Sequence, residues 1–234
     1  MKTTHKILML LCFMLFTSCL VDEFKDKSYH SKHLIDIYYD STEAVIQADE
    51  TMIEISFLPL CSPAKKYCSP EYCRVAKEEQ SQTQSEMFFE CAERNNDYYE
   101  WQVPYKLWGN NSLYCAYANT ALVRGVKAIE LTSDRDYDAE HPAGESLMDI
   151  MDMLIDSFGE YVGVNLAGVN TASNHFGDTH KKYNEFTQKE LSVIGPIINL
   201  SYGNLPILSK KHNFTLTITF DDGEVFTDTV EVNF

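Results

Sequence analysis

The sequence predicts a mainly β domain, an antiparallel β-sandwich-like fold with one amphipathic helix. Short runs rich in β-branched and aromatic residues alternate with polar ones, and Gly, Pro and Asn separate the runs. One segment departs from this pattern and repeats its apolar residues every three or four positions. With 44% hydrophobic and 12% aromatic residues, the composition is that of a chain with a packed core and not of a disordered one.

The first residues indicate export. Two lysines precede an apolar run over 7–16, and small residues with Cys19 follow, a pattern typical of a signal peptide over 1–18. The run has about half of the roughly 20 residues that a transmembrane helix needs. Phe16, Thr17, Ser18 and Cys19 resemble the lipobox of bacterial lipoproteins, which implies lipidation of Cys19 and attachment to a bilayer through acyl chains. An ordinary signal peptide, cut elsewhere, is the alternative.

The charge restricts the partners. Removing 18 leader residues from 234 leaves 216, and loss of the two leader lysines takes the formal net charge from −16 to −18. A surface this acidic binds neither nucleic acid nor an anionic membrane by charge. The acidic residues just after Cys19 resemble the export signals of Bacteroidetes surface lipoproteins, which implies the outer membrane. We expect 19–33 to be a polar tether and 34–234 a single β-rich domain.

Period-two alternation predicts most of the elements of the domain. The candidate strands before the C-terminal hairpin are short, as in sandwiches. They cover 34–39, 52–60, 98–105, 113–117, 126–132, 161–169 and 194–200.

A polar excursion over 74–96 interrupts the strands and has little to bury, so we expect a partly helical loop held by the cysteines that border it. In an exported protein these cysteines can form at most two disulfides, with 15 possible arrangements. Reduced buried thiols and a metal site are the alternatives. The five candidates are Cys61, Cys68, Cys73, Cys91 and Cys115.

The predicted helix covers 147–158. Its apolar residues recur at intervals of three and four, Ser146 and Asp149 form a capping box, and Gly159 ends it.

The C-terminus predicts a β-hairpin. Phe214, Leu216, Ile218 and Phe220 alternate with threonines, and a second alternating run follows Gly223. A two-residue turn would place the two apolar rows on opposite faces. A three-residue loop over 221–223 with a left-handed glycine pairs Phe220 with the residue at 224 and places both rows on one face, so burial favours the longer loop.

The segment 129–147 resembles a motif in a family of uncharacterised Bacteroidetes lipoproteins. The resemblance covers about 20 residues and implies a cell-envelope lipoprotein of unknown activity. It is carried by Ser133-Asp134, Asp136-Tyr137-Asp138, His141-Pro142-Ala143-Gly144 and Ser146-Leu147.

The same segment suggests a calcium site. Counted from the first aspartate, acidic residues fall at positions 1, 3, 5, 7 and 12, close to the ligand spacing of an EF-hand loop, although Ala139 replaces the glycine required at position 6. The alternative is a solvated turn whose aspartates accept backbone amides. The candidate ligands are Asp134, Asp136, Asp138, Glu140 and Glu145.

Seven aromatic residues between 98 and 117 suggest a glycan platform, because sugars stack on flat rings. Alternation directs most of them to the core, and Trp108, beside Gly109 and Asn110, is the candidate for an exposed ring. No nucleophile elbow, zinc helix or phosphate-binding glycine loop is present in the sequence. We therefore predict a cell-envelope lipoprotein with a non-catalytic binding or scaffolding domain for another envelope protein. The alternative is a surface glycan-binding module stabilised by calcium.

Overall fold

The computed structural model describes residues 29–31, 33–41, 43–58, 65–68, 82–97, 101–103, 119–163 and 177–234. The predicted signal peptide, the lipidation site Cys19, the candidate ring Trp108, the cysteines Cys61, Cys73 and Cys115, the strand at 113–117 and the part of 161–169 after 163 lie outside these residues.

The described elements are mainly strands, as predicted. In chain order they are β1 (Tyr29–Ser31), β2 (Ile37–Asp40), β3 (Val45–Ala48), β4 (Met52–Ser56), β5 (Lys65–Cys68), α1 (Gln82–Arg94), β6 (Trp101–Val103), β7 (Thr120–Leu122), β8 (Val126–Ser133), β9 (Met151–Ser157), β10 (Asp178–Lys182), a 3-10 turn (Tyr183–Glu185), β11 (Ile194–Tyr202), β12 (Lys211–Phe220) and β13 (Val225–Asn233).

Two antiparallel sheets form the sandwich. One has the strand order β10-β9-β11-β4-β3 and the other the order β13-β12-β8. The main hydrophobic cluster lies between them and takes Ile55, Ile155 and Ile198 from the first sheet and Leu131 and Leu216 from the second. Strand β9 in the first sheet and strand β12 in the second each bury alternate residues, so the two sheets pack face to face.

The C-terminal hairpin has the predicted geometry. The Phe220 amide donates to the Glu224 carbonyl at 2.9 Å, and Gly223 has a φ of 90°, which a residue with a Cβ rarely adopts. Alternate residues of β12 are buried and the threonines between them are partly exposed. The three-residue loop is therefore confirmed, with both apolar rows facing the core.

A smaller layer covers one end of the sandwich. Its sheet has the order β5-β2-β7, with β2 and β7 parallel, and α1 packs against it through Phe88 and Ala92. Leu34 joins the same cluster as Phe158 and Val193. Because β1 pairs with β6 and His33 is buried, the fold includes the last residues of the segment that we expected to be a tether.

The helix predicted over 147–158 is wrong in position, because β9 occupies most of it. In β9 the even-spaced residues Met151, Met153 and Ile155 are buried, whereas Leu154 is 39% exposed. The apolar spacing gave the wrong prediction because Met151 and Ile155 lie four residues apart, a separation that fits both the helical and the strand period. The strand is favoured because β9 pairs with β10 on one side and β11 on the other. This pairing provides hydrogen-bond partners for the backbone of β9 on both edges.

The α-helix among the described residues lies in the polar excursion instead. Phe88, Cys91 and Ala92 are buried at helical spacing, so a narrow apolar stripe is enough to hold α1 against the small layer. The partly helical character expected for 74–96 is confirmed over Gln82–Arg94. The helix ends at Arg94, and Asn96 just beyond it has a left-handed φ of 54°.

Asp97 connects the end of α1 to the N-terminal segment. Its side chain is 0% exposed and accepts the amides of Leu34 and Ile35 at 2.7 and 3.2 Å and the Tyr38 hydroxyl at 3.1 Å. The His33 ring donates to the Asp97 carbonyl at 2.5 Å. Burial raises the pKa of Asp97, while the amide hydrogen bonds oppose this rise.

Alanine substitutions at two adjacent residues test the strand at 151–157. Met153→Ala removes a buried side chain and should lower the free energy of unfolding by about 2–5 kcal/mol. Leu154→Ala acts on the exposed face of β9 and should change it by about 0.5 kcal/mol or less. Urea unfolding measures both. If Leu154→Ala lowered the free energy of unfolding more than Met153→Ala, the result would favour the predicted helix, whose apolar stripe contains Leu154 and not Met153.

Asp97→Ala tests the buried connection. It leaves two backbone amides and a tyrosine hydroxyl without an acceptor in the core, so we expect the free energy of unfolding to fall by about 3–5 kcal/mol. Asp49→Ala is the matched control, because Asp49 also accepts the amides of Thr51 and Met52, but in an exposed turn. Equal losses in urea unfolding for the two variants would contradict a special role for Asp97.

Candidate functional site

Two loops meet at the end of the sandwich that lies away from α1. The first covers 134–150 between β8 and β9, and the second covers 203–210 between β11 and β12. Strand pairing brings them together, because Ser133 pairs with Phe214 and Tyr202 pairs with Met151. We call this end the loop pole. Loops held at one end of a rigid sandwich are a common place for binding sites.

The aspartates of the first loop accept hydrogen bonds from backbone amides. Asp134 accepts the Asn213 amide and side-chain nitrogen, each at 2.8 Å. Asp136 accepts the Ala143 amide at 2.9 Å. Asp138 accepts the amides of Glu140 and His141 at 2.8 and 2.9 Å.

This arrangement of the carboxylates gives no support to the calcium site predicted at Asp134, Asp136, Asp138, Glu140 and Glu145. In the described residues, which include the whole of 134–145, no group of three or more His, Cys, Asp or Glu side chains could hold a metal ion. Asp138 closes an Asx turn with the Glu140 amide, whereas Asp134 and Asp136 accept amides further along the chain. Ala139 stands where an EF-hand loop has glycine. The alternative to the cation, in which the aspartates accept backbone amides, agrees with the hydrogen bonds of Asp134, Asp136 and Asp138.

The same hydrogen bonds shift the pKa values of Asp134 and Asp138. The Asn213 amide and side chain hold the pKa of Asp134 below its usual value. Burial raises the pKa of Asp138, but hydrogen bonds from His141 and from two amides outweigh it, so that its pKa is lowered. Both carboxylates are thus stabilised in their charged form.

His141 closes the first loop. Its ring is buried, and its nitrogens donate to Asp138 at 2.7 Å and to Asp149 at 3.2 Å. Burial lowers the pKa of His141, but the two carboxylates raise it by a larger amount, and the net shift is upward. The ring therefore links the middle of the loop to its last turn, and its protonated form can donate to both carboxylates.

A serine and a histidine are paired at the base of the pole. The Ser133 hydroxyl lies 2.7 Å from Nδ1 of His212, and Nε2 of His212 donates to the Ser209 carbonyl at 3.0 Å. Because Nε2 carries the proton, Nδ1 accepts from the hydroxyl. Both residues are buried, and the His212 ring is stacked on Phe214. The pair holds β8, β12 and the second loop together and does not present a nucleophile to solvent.

Tyr137 fastens the second loop to the first. Its ring is buried, and its hydroxyl donates to the Asn204 carbonyl. Its own carbonyl accepts the amides of Ile207 and Leu208 at 3.1 and 3.4 Å. Burial raises the pKa of the Tyr137 hydroxyl to about 12, so it remains a donor at physiological pH.

The second loop presents apolar side chains to solvent. Leu205, Ile207 and Leu208 are 62%, 77% and 59% exposed, and we call these three residues the apolar tip. Single exposed apolar residues are ordinary on a protein surface, whereas a contiguous group is typical of interaction sites. Sequence reasoning missed this tip, since nothing in its composition distinguishes it from a short buried strand.

The other predicted site residues do not join the loop pole in the part of the chain that the structure describes. Cys68 and Cys91 are buried and no disulfide joins these two, while the disulfide pairing of the five cysteines stays a prediction. Burial raises the pKa of the Cys91 thiol. Of the helices described, none is sufficiently long and apolar to cross a membrane.

The pH dependence of stability tests the bridge at His141. Because its pKa is raised in the fold, its stabilisation is complete below the unfolded value of about 6.5 and disappears as the pH rises through the folded value. The difference in free energy of unfolding between wild type and His141→Gln should therefore be largest at acidic pH and shrink towards pH 8. Urea unfolding across this range measures it.

His180→Gln, on the exposed strand β10, is the control for this measurement and should leave the pH profile of the wild type unchanged. Asp149→Asn should reduce the contribution of His141 at acidic pH. A difference that grows with rising pH would contradict the ion bridge.

Comparison with family models, with curated proteins and with solved structures finds no match for this chain. The loop pole must therefore be interpreted from its own chemistry, which is a rigid apolar tip beside a turn rich in carboxylates.

Proposed function

We propose that the protein is a cell-envelope lipoprotein, anchored in the outer membrane through Cys19, whose sandwich is a non-catalytic binding domain. The sequence around Cys19 and the resemblance of 129–147 to Bacteroidetes lipoproteins support the anchor. The observation that carries the binding role is the apolar tip, a group of exposed apolar side chains held in place by the fold.

The two ends of the molecule support a division between anchoring and binding. Leu34, which lies near the start of the domain, packs with Phe158 and Val193, beside the start of β11. The apolar tip follows the other end of β11, which spans nine residues and so separates its two ends by about 26 Å. The chain thus enters the fold at one end and displays the apolar tip at the other.

The length of the N-terminal segment fits this arrangement. The stretch from Cys19 to Tyr29 can span at most about 35 Å when extended. An anchor at Cys19 would keep the domain close to the bilayer at the end that contains Leu34. The loop pole would then remain accessible to another envelope component.

The polar groups of the loop pole support binding over catalysis. Asp134 and Asp138 accept amides, and Ser133 and His212 are buried and bonded to each other. These groups stabilise the loops. The surface that remains for contact is apolar, with carboxylates at its border, as in a recognition site.

Replacement of the lipidation site tests the anchor. Cys19→Ala removes the thiol that would carry the first acyl chain, so we expect the protein to move from the membrane fraction to the soluble fraction. Quantitative immunoblotting of both fractions measures the shift.

Ser18→Ala is the matched control, because it keeps a small residue before Cys19 and should leave the protein with the membrane. Retention of Cys19→Ala in the membrane fraction would overturn the anchor. Protease treatment of intact cells then reports whether the domain faces outward.

A further inference from the structure

We infer that the loop pole docks a partner protein through an apolar pocket bordered by basic side chains. The inference rests on the proposed binding function and names the partner's chemistry. Its three supports are the exposure of the apolar tip, the hydrogen bonds that hold the tip in one conformation, and the charge of the turn beside it.

The apolar tip places several exposed apolar side chains close together in the sequence. Leu205, Ile207 and Leu208 are the exposed large apolar residues of one four-residue stretch. The other exposed large apolar residues among those described lie singly on strands, as Val225 and Leu154 do, or on α1, as Phe89 does. Burial of the tip against a partner would remove a contiguous apolar surface from water, which favours association.

The tip is held before any partner binds. The amides of Ile207 and Leu208 donate to the Tyr137 carbonyl, and the Tyr137 hydroxyl donates to Asn204. At the start of the loop the Gly203 amide donates to the Ile150 carbonyl at 3.1 Å, and a Cβ at Gly203 would lie only 2.2 Å from that oxygen. Pro206 fixes one more φ. Little conformational entropy is therefore lost on binding.

The charge around the tip selects the partner. Asp136 and Asp138 flank Tyr137 in sequence, and Glu140, Glu145 and Asp149 are exposed on the same turn. The nearby cations are fewer. They are Arg135, Lys210, Lys211, which pairs with Glu231 at 2.8 Å, and His141 when it is protonated, which pairs with Asp138 and Asp149. Carboxylates thus outnumber cations around the tip, and a partner with basic side chains at the rim of its pocket would be complementary.

The same charge disfavours two other occupants. An anionic lipid surface would repel the turn. A second copy docked tip to tip would bring two acidic turns together, and like charges at an interface oppose association. The bilayer and the dimer therefore serve as alternative outcomes of the test.

The test uses the full chain carrying Cys19→Ala, so that no detergent is needed. The probe is a labelled amphipathic peptide of leucine and lysine, compared with one of leucine and glutamate and one of serine and lysine. Fluorescence anisotropy gives the Kd of each. We expect saturable binding of the leucine–lysine peptide alone, weakened by added salt.

Two pairs of variants locate the contact. Ile207→Ser combined with Leu208→Ser should raise the Kd about tenfold or more, whereas Val225→Ser, which is 58% exposed on the distant hairpin, should not change it. Glu140→Gln with Glu145→Gln should raise the Kd severalfold, and Glu93→Gln on α1 should not. Melting temperatures equal to that of the parent chain show that the variants are folded.

The inference is overturned if the serine variant binds as well as the parent chain, or if the leucine–glutamate peptide binds equally. Sedimentation showing a dimer that the serine variant abolishes would assign the tip to a second copy. Flotation with phosphatidylcholine vesicles that depends on the tip would assign it to lipid. Each result is independent of the fractionation of Cys19→Ala, so the anchor and the partner can fail separately.

Discussion

Burial of alternate residues in β12 is the constraint on which the rest of the molecule depends. This strand lies at the centre of its sheet, and Phe214, Leu216, Ile218 and Phe220 all face the opposite sheet. A register shift of one residue would bury the threonines and expose the phenylalanines, so the pairing with β8 and β13 is strongly specified. That register places the end of β8 beside the start of β12, and thereby brings the two loops together.

Buried polar groups then fasten each end of the sandwich. At the α1 end Asp97 binds the amides of Leu34 and Ile35. At the loop pole Tyr137 binds the second loop and His212 binds Ser133. These hydrogen bonds satisfy groups that would be costly to bury alone, and they leave the apolar tip as the exposed feature of an ordered surface. Such a surface suits the proposed binding role.

The loop pole shows how far sequence reasoning reaches into a site. The segment 134–145 was identified as special from its acids, but local spacing could not distinguish metal ligands from Asx turns. The pairing of Ser133 with His212 spans 79 residues, and the contact of Tyr137 with Ile207 also depends on tertiary structure. Neither can be read from a local pattern, because the residues meet only after β8, β11 and β12 have paired.

By itself, the sequence determined the mainly β class and the hairpin around Gly223. The alternation over β12 and β13, interrupted at Asp228, has only one register that places both apolar rows on the core face. It also predicts export by a signal peptide over 1–18 and lipidation at Cys19. Tertiary structure decided the secondary structure of a segment whose apolar spacing fits both a helix and a strand. Met151 and Ile155 fit a helix or a strand, and pairing on both edges of β9 made it a strand. The weaker stripe of α1 became helical because Phe88 and Ala92 find a buried surface, which no local propensity encodes.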